Sequence, residues 1–286
     1  MSASPPVTPP VTPPSGSLRD ELPQLSRRSL LAAGAVLACG AAGAAVLSRL
    51  VPLPATGADD APLVAPTPEC TYVVDTNRCI GCGLCVAACK EENQVPEEGI
   101  LTRTWIERHL VAADGEVYID SPEGGIHGFP KESEAPGAAT ASIVDALFEP
   151  RLCMQCADSP CTEVCPVAAT YRTAEGVVLV DANRCIGCGY CVVSCPYGAR
   201  YLVPAGERSP SGVAGVADKC TWCYHRIVAG SLPACVEVCP TGARSFGDRA
   251  DPASSIHAVL EGRTTSLLHP EFGTRPVVLY IGSTSD

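Results

Sequence analysis

Cysteine is the residue type through which this chain could do chemistry, because sixteen of its 18 cysteines fall into four spaced groups. The first and third groups share the spacing C-x-x-C-x-x-C-x-x-x-C, and they consist of Cys79, Cys82, Cys85 and Cys89, and of Cys185, Cys188, Cys191 and Cys195. The second and fourth groups are spaced less regularly, and they consist of Cys153, Cys156, Cys161 and Cys165, and of Cys220, Cys223, Cys235 and Cys239. Thiols at this density bind metal or form disulfides, and their spacing distinguishes the two.

The spacing favours iron–sulfur clusters. Three cysteines in a C-x-x-C-x-x-C loop can surround one cubane, and a cysteine three residues later reaches a neighbouring cluster. Structural zinc is held by pairs of cysteines instead, and cysteines only three residues apart are difficult to join in a disulfide. A proline follows the last cysteine of three groups and suits the first turn of a helix. The sixteen cysteines therefore predict four [4Fe–4S] clusters.

The chain also contains an internal duplication. Residues 75–86 recur with few changes 106 positions later, at 181–192, and the second and fourth groups share the tetrapeptide Glu-Val-Cys-Pro. Nineteen residues separate the second group from the third, much as in the two halves of a small bacterial ferredoxin. We therefore pair these two groups in one module with crossed fourth ligands, which leaves the first and fourth groups to pair with each other.

The predicted fold class is α+β and loop-rich, with two ferredoxin-like dicluster modules, one inserted in the other. The inner module spans residues 151–204, and the outer module consists of residues 70–100 and 205–250. Residues 101–150 form a long connection, typical of a surface insertion or a partner-docking segment, and residues 251–286 form a C-terminal tail. Short strands are predicted at residues 71–75, 104–110, 116–119, 177–181 and 276–281.

The first 58 residues have the composition of a targeting segment. A Pro/Thr/Ser-rich stretch leads to Arg27 and Arg28, which precede an Ala- and Gly-rich apolar run over residues 30–47. This pattern resembles a twin-arginine (Tat) export signal, and it predicts a protein of the periplasm or the outer face of the cytoplasmic membrane. A single membrane anchor is the alternative, although the run is barely long enough to span. Cleavage of the signal and lipidation of Cys39 both stay open.

The composition argues against other classes of protein. A formal net charge of −11 would repel nucleic acid phosphates. With only 4 Phe and 2 Trp the chain cannot build a large aromatic core, so cofactors must help to organise it. An acidic surface suits a redox partner but is equally typical of a solvated face. The sequence contains no nucleotide-binding fingerprint, catalytic triad or second metal-binding motif.

Three stretches around the cysteines extend the pattern beyond the ligands. They are residues 89–93 (CKEEN), 219–226 (KCTWCYHR) and 232–235 (LPAC). Together with the four groups in this order, they resemble the iron–sulfur (beta) subunits of the dimethyl sulfoxide reductase-type molybdopterin oxidoreductases. Subunits from polysulfide, tetrathionate and formate-dependent nitrite reduction share these motifs, and the resemblance covers about residues 70–250 of this chain.

The resemblance implies four ligand sets with crossed fourth cysteines, which we call sites I to IV. Site I is Cys79, Cys82, Cys85 and Cys239; site II is Cys220, Cys223, Cys235 and Cys89; site III is Cys153, Cys156, Cys161 and Cys195; site IV is Cys185, Cys188, Cys191 and Cys165. Some relatives lack the cysteine that corresponds to Cys188 and hold a three-iron cluster there. Because Cys188 is present, a four-iron cluster is expected at site IV.

The resemblance also implies partners, namely a larger catalytic oxidoreductase subunit and a polytopic membrane subunit that reacts with quinone. The chain itself is then an electron-transfer subunit and not an enzyme on its own. The alternatives are a free-standing periplasmic polyferredoxin, a subunit of a hydrogenase-type complex, and an enzyme that binds substrate at one cluster. The complete cysteine sets argue against the last, since no iron is left with an open position.

A few residues outside the ligand sets carry weaker predictions. Cys70 is predicted to be a buried strand residue, and His225 either tunes a cluster through a hydrogen bond or packs against its neighbours. Lys219 and Arg226 flank the same loop and either offset cluster charge or are solvated. Ordinary surface or loop positions are predicted for the remaining histidines, which are His109, His127, His257 and His269.

Overall fold

The computed structural model describes residues 70–96, 101–131, 135, 137–204 and 212–282, which all belong to one compact unit. The predicted export signal with its arginine pair, and Cys39 within it, lie outside the described residues. No helix in the described part of the chain is long and apolar enough to cross a membrane.

A three-stranded sheet joins the two ends of the described chain. Strand β1 (Cys70–Asp75) lies between β9 (Arg244–Asp248), to which it is antiparallel, and β10 (Val278–Ile281), to which it is parallel. Tyr72 at the centre of β1 is fully buried. The strands predicted at residues 71–75 and 276–281 are therefore confirmed. The strand before the first cysteine group lies beside the strand after the fourth.

Two small antiparallel sheets lie between the other cysteine groups. Strand β5 (Thr170–Arg172) pairs with β6 (Val178–Val180) and connects the second group to the third. Strand β7 (Arg200–Leu202) pairs with β8 (Ala217–Lys219) and connects the third group to the fourth. The strand predicted at residues 177–181 is confirmed as β6.

The helices are short, and the first five lie at the cysteine groups. They are α1 (Leu84–Glu92), α2 (Pro160–Glu163), α3 (Tyr190–Val193), α4 (Tyr224–Ile227), α5 (Ala234–Glu237) and α6 (Ile256–Leu260). Single 3-10 turns cover Thr76–Arg78, Pro122–Gly125, Ala138–Thr140 and Pro270–Phe272. Helix α1 packs against α5, and α2 packs against α3. Elements of the first and fourth groups thus contact each other, as do those of the second and third.

The long connection forms a sheet of its own. Strands β2 (Thr104–Ala112), β3 (Val117–Asp120) and β4 (Ile143–Leu152) are antiparallel, in the order β3-β2-β4. The strands predicted at residues 104–110 and 116–119 are confirmed, whereas β4 was not predicted. Its aspartate, glutamate and internal proline disfavour a strand locally. Ile106 and Leu152 belong to the main core, so the connection is partly internal.

The C-terminal tail crosses the loop of the second cysteine group. The backbone N–H of Ala157 donates to the carbonyl of Arg275, and the N–H of Val277 donates to the carbonyl of Met154. These hydrogen bonds hold the loop that carries the first cysteines of site III.

Candidate functional site

The cysteines of all four predicted sets lie in the described part of the chain, and each is a free thiol rather than half of a disulfide. Cys82 and Cys188 are exposed, and the other members of the four sets are buried or half-buried.

Site I forms where the loop before α1 meets the segment after α5. Cys79, Cys82 and Cys85 follow one another through this loop into α1, and Cys239 stands just beyond α5. The pKa of the Cys79 thiol is raised to about 11, chiefly by burial and in part by the nearby thiols of Cys85 and Cys239. Cys85 in turn lies near Cys82 and Cys239. The structure thus brings together the four thiols of site I.

Site II joins a cysteine of α1 to three cysteines of the fourth group. Burial raises the pKa of the Cys89 thiol well above its usual range, and the thiols of Cys235, Cys220 and Cys223 raise it further. The side-chain amide nitrogen of Asn93 lies 3.6 Å from Sγ of Cys89 and 3.7 Å from Sγ of Cys223. One amide therefore donates to thiols of the first and the fourth cysteine groups.

Site III surrounds a cavity that all four of its cysteines line together with Arg200. The pKa of the Cys156 thiol is raised to about 12, chiefly by burial and also by the nearby thiols of Cys153, Cys161 and Cys195. Convergence of four thiols on one enclosed space is the geometry that a cubane requires.

Site IV, like site I, has one exposed thiol. Cys191 is buried and packs near Cys161 of site III, whereas Cys188 is exposed. The Sγ of Cys185 accepts a hydrogen bond from the backbone N–H of Ala217 at 3.4 Å. Cys185 and Cys191 also belong to one apolar cluster with strand β8.

The position of Cys165 is determined by its own loop and by the packing of α2 against α3. Its Sγ accepts a hydrogen bond from the backbone N–H of Ala169 at 3.1 Å. Burial raises the pKa of Cys165, but hydrogen bonds from the backbone of Thr170, Val167 and Ala169 outweigh it and lower the pKa below the ordinary value. These donors favour a thiolate. The described contacts of Cys165 are with this loop rather than with the other three cysteines of site IV.

Thiols of successive sites are neighbours in the order I, II, III, IV. Cys85 interacts electrostatically with Cys235, as does Cys220 with Cys153, and Cys161 and Cys191 belong to one apolar cluster. All four thiols of site II are buried, and those of site III are buried or half-buried. The two exposed thiols, Cys82 and Cys188, therefore stand at opposite ends of this order.

Three buried donors beside the sites have no hydrogen-bond partner among the described residues. They are Nη2 of Arg200, Nε1 of Trp222 and Nε of Arg244. Trp222 stands between two ligands of site II, Arg200 lines the cavity of site III, and Arg244 lies near sites I and II. A buried donor without an acceptor is costly, whereas the sulfurs of a cluster accept hydrogen bonds. The cysteine sets and these donors therefore fit iron–sulfur clusters.

Glycine is required in the loops that hold sites I and IV. Gly83 has a φ of +77°, and a Cβ there would lie 2.3 Å from the carbonyl oxygen of Ile126. Gly187 has a φ of +68°, and a Cβ there would lie 2.3 Å from the carbonyl oxygen of Gly215. Both positions combine a left-handed backbone with close approach of a second segment.

Comparisons with known proteins identify the family. Two family models match, both described as a 4Fe-4S dicluster domain, over residues 78–169 and 144–249. The chain is 38% identical over 220 residues to the B subunit of tetrathionate reductase from Salmonella typhimurium. This alignment covers 76% of this chain and 74% of the relative. It is 33% identical over 208 residues to the B chain of polysulfide reductase from Wolinella succinogenes. This alignment covers 72% of this chain and 91% of the relative.

A third relative is the iron-sulfur B subunit of a putative dimethyl sulfoxide reductase from Halobacterium salinarum, 36% identical over 218 residues, covering 73% of this chain and 77% of the relative. This chain is a member of the family of iron–sulfur (beta) subunits of dimethyl sulfoxide reductase-type molybdopterin oxidoreductases. The predicted resemblance is thereby confirmed.

The iron–sulfur subunit is an electron-transfer protein with [4Fe–4S] clusters and is not catalytic by itself, as predicted. Its mixture of strands and helices also agrees with the predicted α+β class. The two family models divide the chain differently from the predicted modules, since one spans the first two cysteine groups and the other spans the last three. The nested arrangement of modules stays a prediction.

One histidine of the iron–sulfur subunit contradicts its prediction. His109 is not a surface or loop residue but is buried in β2, with Nε2 3.3 Å from Oε2 of Glu107. The same cluster contains Arg151, whose Nε lies 2.9 Å from Oε2 of Glu107 and 3.0 Å from Oε1 of Glu149. Glu107 and Glu149 are direct partners across β2 and β4. Only strand register brings them together, so sequence reasoning missed this ion-pair network.

Other single-residue predictions have mixed outcomes. His225 does not pack inside, because its side chain is exposed and its Nε2 lies 2.6 Å from Oε1 of Glu92. Its hydrogen bond to a cluster stays a prediction. Arg226 also binds Glu92 near the surface, whereas Lys219 is fully buried, so the solvated alternative is wrong for Lys219. Cys70 begins β1 as predicted but is only half-buried. Surface or loop positions are confirmed for His127, His257 and His269.

Proposed function

We propose that this chain relays electrons through four [4Fe–4S] clusters, one at each of sites I to IV, between a membrane quinone-reacting subunit and a catalytic molybdopterin subunit. The succession of neighbouring thiols from site I to site IV, with exposed thiols only at sites I and IV, is the observation that carries the proposal. The thiols of site II are all buried, so an electron reaches that site through a neighbouring site. This arrangement suits transfer between two separate partners.

The residues of the chain hold the clusters and control their surroundings. Each bound cluster supplies a one-electron oxidation and reduction. The cysteines of sites I to IV hold the clusters with crossed fourth ligands, and Trp222, which is 1% exposed, excludes water from site II. The backbone N–H groups of Ala169 and Ala217 donate to ligand sulfurs at site IV, where solvent is closer.

Exposed apolar side chains stand beside both exposed thiols. Next to Cys82 they are Ile80, 59% exposed, and Leu84, 46% exposed. Next to Cys188 they are Ile186, Tyr190 and Val193, which are 64%, 62% and 89% exposed. Grouped apolar side chains on a protein surface are typical of interaction sites. Both ends of the row therefore suit docking of a protein partner within electron-transfer distance.

Affinity purification of the full chain in mild detergent tests the proposal. We expect a larger molybdopterin-containing subunit and a polytopic membrane subunit to co-purify, with about sixteen irons per chain if each site holds a four-iron cluster. Ile80→Asp and Val193→Asp should each release a different partner. Val144→Asp is the matched control, because Val144 is 65% exposed in β4, outside the cysteine loops. Recovery of a free monomer alone would favour the polyferredoxin, and zinc with little sulfide would contradict cluster binding.

A further inference from the structure

Three buried cations lie near the sites without a carboxylate partner. Arg200, Lys219 and Arg244 are 4%, 0% and 2% exposed, and none forms an ion pair with an aspartate or glutamate of the described residues. Arg103, by contrast, is buried against Asp218 with Nη2 and Oδ1 2.6 Å apart. Removing one partner of a buried ion pair is strongly destabilising, because it leaves an uncompensated charge. The three cations therefore require negative charge from another source.

Two of these cations face each other directly. Arg200 and Lys219 are register partners in the sheet of β7 and β8. Like charges at such positions repel. Lys219 Nζ donates to the carbonyl of Cys220 at 2.9 Å and to the carbonyl of Val178, but carbonyl groups carry no net charge. A buried cationic pair of this kind is stable when anions lie on either side of it.

The arginines belong to the internal repeat of the chain. Cys195-Pro-Tyr-Gly-Ala-Arg200 and Cys239-Pro-Thr-Gly-Ala-Arg244 place an arginine at the same distance from the last cysteine of a group. Each arginine is the first residue of the strand that leaves the site. Thr170 has this position after the second group, and Arg200 Nη1 lies 3.3 Å from its hydroxyl oxygen.

Each cation lies at one junction between successive sites. The nearby thiols are Cys85 and Cys235 for Arg244, Cys220 and Cys153 for Lys219, and Cys161 and Cys191 for Arg200. Direct geometry agrees, since Arg244 Nη1 lies 3.3 Å from the Tyr72 hydroxyl that contacts Cys235. Arg200 lines the cavity of site III. The junctions I–II, II–III and III–IV therefore each contain one buried cation.

We propose that Arg244, Lys219 and Arg200 act as positioning charges that raise the reduction potentials of the two clusters flanking each junction. Reduction adds one negative charge to a cluster, and a nearby buried cation lowers the free energy of the reduced form more than that of the oxidised form. The inference rests on the proposed function in one respect, namely that a cluster is present at each of the four sites.

Neutral variants of the full-length protein test this proposal. Arg244→Gln should lower the potentials of the clusters at sites I and II and leave that of site IV unchanged. Arg200→Gln should lower the potentials of the clusters at sites III and IV and leave the potential at site I unchanged. Lys219→Met should lower the potentials at sites II and III. Anaerobic redox titrations followed by electron paramagnetic resonance measure each potential. We expect at least a tenfold loss in the equilibrium constant for reduction, which is about 59 mV for one electron.

Matched variants separate charge from packing. Arg200→Lys and Arg244→Lys keep the charge and should keep the potentials close to those of the unaltered protein. Arg226→Gln removes an arginine that is already paired with Glu92 and Glu237 near the surface, and it should change no potential by a comparable amount. Iron and sulfide analysis of each variant records how many clusters are bound.

The outcomes distinguish this inference from the proposed function. Fewer than four clusters in the unaltered protein would contradict the proposed function itself. Four clusters with unchanged potentials in the neutral variants, or equal shifts at all four sites, would overturn only the role of the three cations. If a neutral variant loses one cluster, the remaining cluster of that junction is measured, and an unchanged potential there also overturns the proposal.

Discussion

The hydroxyl of Tyr72 lies 3.1 Å from Sγ of Cys235 and so connects strand β1 to site II across 163 residues of sequence. Both residues are buried. Arg244 Nη1 donates to the oxygen of the same hydroxyl at 3.3 Å, which leaves the O–H of Tyr72 free to donate to the sulfur.

Tyr72→Phe should therefore lower the potential of the site II cluster without changing the iron content. Hydrogen bonds to ligand sulfurs favour the more negative reduced cluster, and their loss disfavours it. A redox titration followed by electron paramagnetic resonance measures the shift. Tyr280→Phe is the control, because Tyr280 is also buried but its hydroxyl donates to the carbonyl of Pro150 at 2.9 Å. An equal shift in both variants would assign the effect to packing.

Crossed ligation predicts that Cys89→Ser damages site II, although Cys89 belongs to the first cysteine group. The signal of the site II cluster should be lost or changed to a three-iron form, while the site I cluster is retained. Cys239→Ser should have the reciprocal effect on site I. Electron paramagnetic resonance of reduced and oxidised samples measures both. Selective loss of site I in Cys89→Ser would show that the fourth ligands are not crossed.

The buried pair of Arg103 and Asp218 should contribute strongly to stability. Arg103 Nη2 lies 2.6 Å from Oδ1 of Asp218, and the Tyr201 hydroxyl donates to Oδ2 at 2.6 Å. Asp218→Asn leaves a buried guanidinium without its counter-charge, at a cost of about 3–5 kcal/mol. The midpoint of anaerobic thermal unfolding should fall by about 10 °C.

The exposed pair of Arg275 and Asp158 is the matched control for this prediction, since the side chain of Asp158 is 49% exposed. Asp158→Asn should lower the unfolding midpoint much less, because solvent screens surface ion pairs. Equal losses in the two variants would contradict the assignment of stability to the buried pair.

Acid should weaken the fold in part through Glu107. Burial raises the pKa of Glu107, but the hydrogen bond to His109, the charge of Arg151 and the indole N–H of Trp105 outweigh it and lower the pKa from 4.5 to about 2. The stabilisation of the fold by ionised Glu107 is complete above pH 4.5 and is lost as pH falls towards 2. By linkage the loss is about 1 kcal/mol at pH 4.

Thermal unfolding of the Glu107→Gln variant between pH 7 and pH 4 tests this dependence. The unfolding midpoint of the variant should fall less steeply with acid than that of the unaltered protein, since the variant carries no carboxyl at this position. Glu116→Gln, at an exposed position, should preserve the original slope. Parallel slopes for the unaltered protein and Glu107→Gln would disprove the contribution.

Export is predicted to depend on the arginine pair of the targeting segment. Replacement of both Arg27 and Arg28 by lysine should retain a folded, cluster-loaded precursor in the cytoplasm, because the Tat receptor reads the paired arginines. Cell fractionation with immunodetection measures the distribution. Arg19→Lys, upstream of the pair, should not change it. Unchanged export of the double variant would indicate a different kind of signal.

Local sequence was sufficient to predict the cluster chemistry and several strands of this protein. Cluster ligation depends on cysteines that are only a few residues apart, so the C-x-x-C-x-x-C loops can be recognised in the sequence without a structure. The strands at residues 71–75 and 177–181 were also predictable, because they are short runs of β-branched residues next to such loops. The resemblance to the iron–sulfur subunit family rests on the same local motifs.

The order of the sites and the positions of the buried charges emerged only from the folded chain. Sequence left a solvated position open for Lys219 and predicted a surface or loop position for His109. Both are buried, because strand register and the opposing segments determine their surroundings. Strand β4 forms although its residues have a low local propensity for strand, because it pairs with β2. The meeting of Tyr72 with Cys235 likewise depends on long-range packing. Burial and electrostatics are set by residues distant in the chain, and no short interval of sequence encodes them.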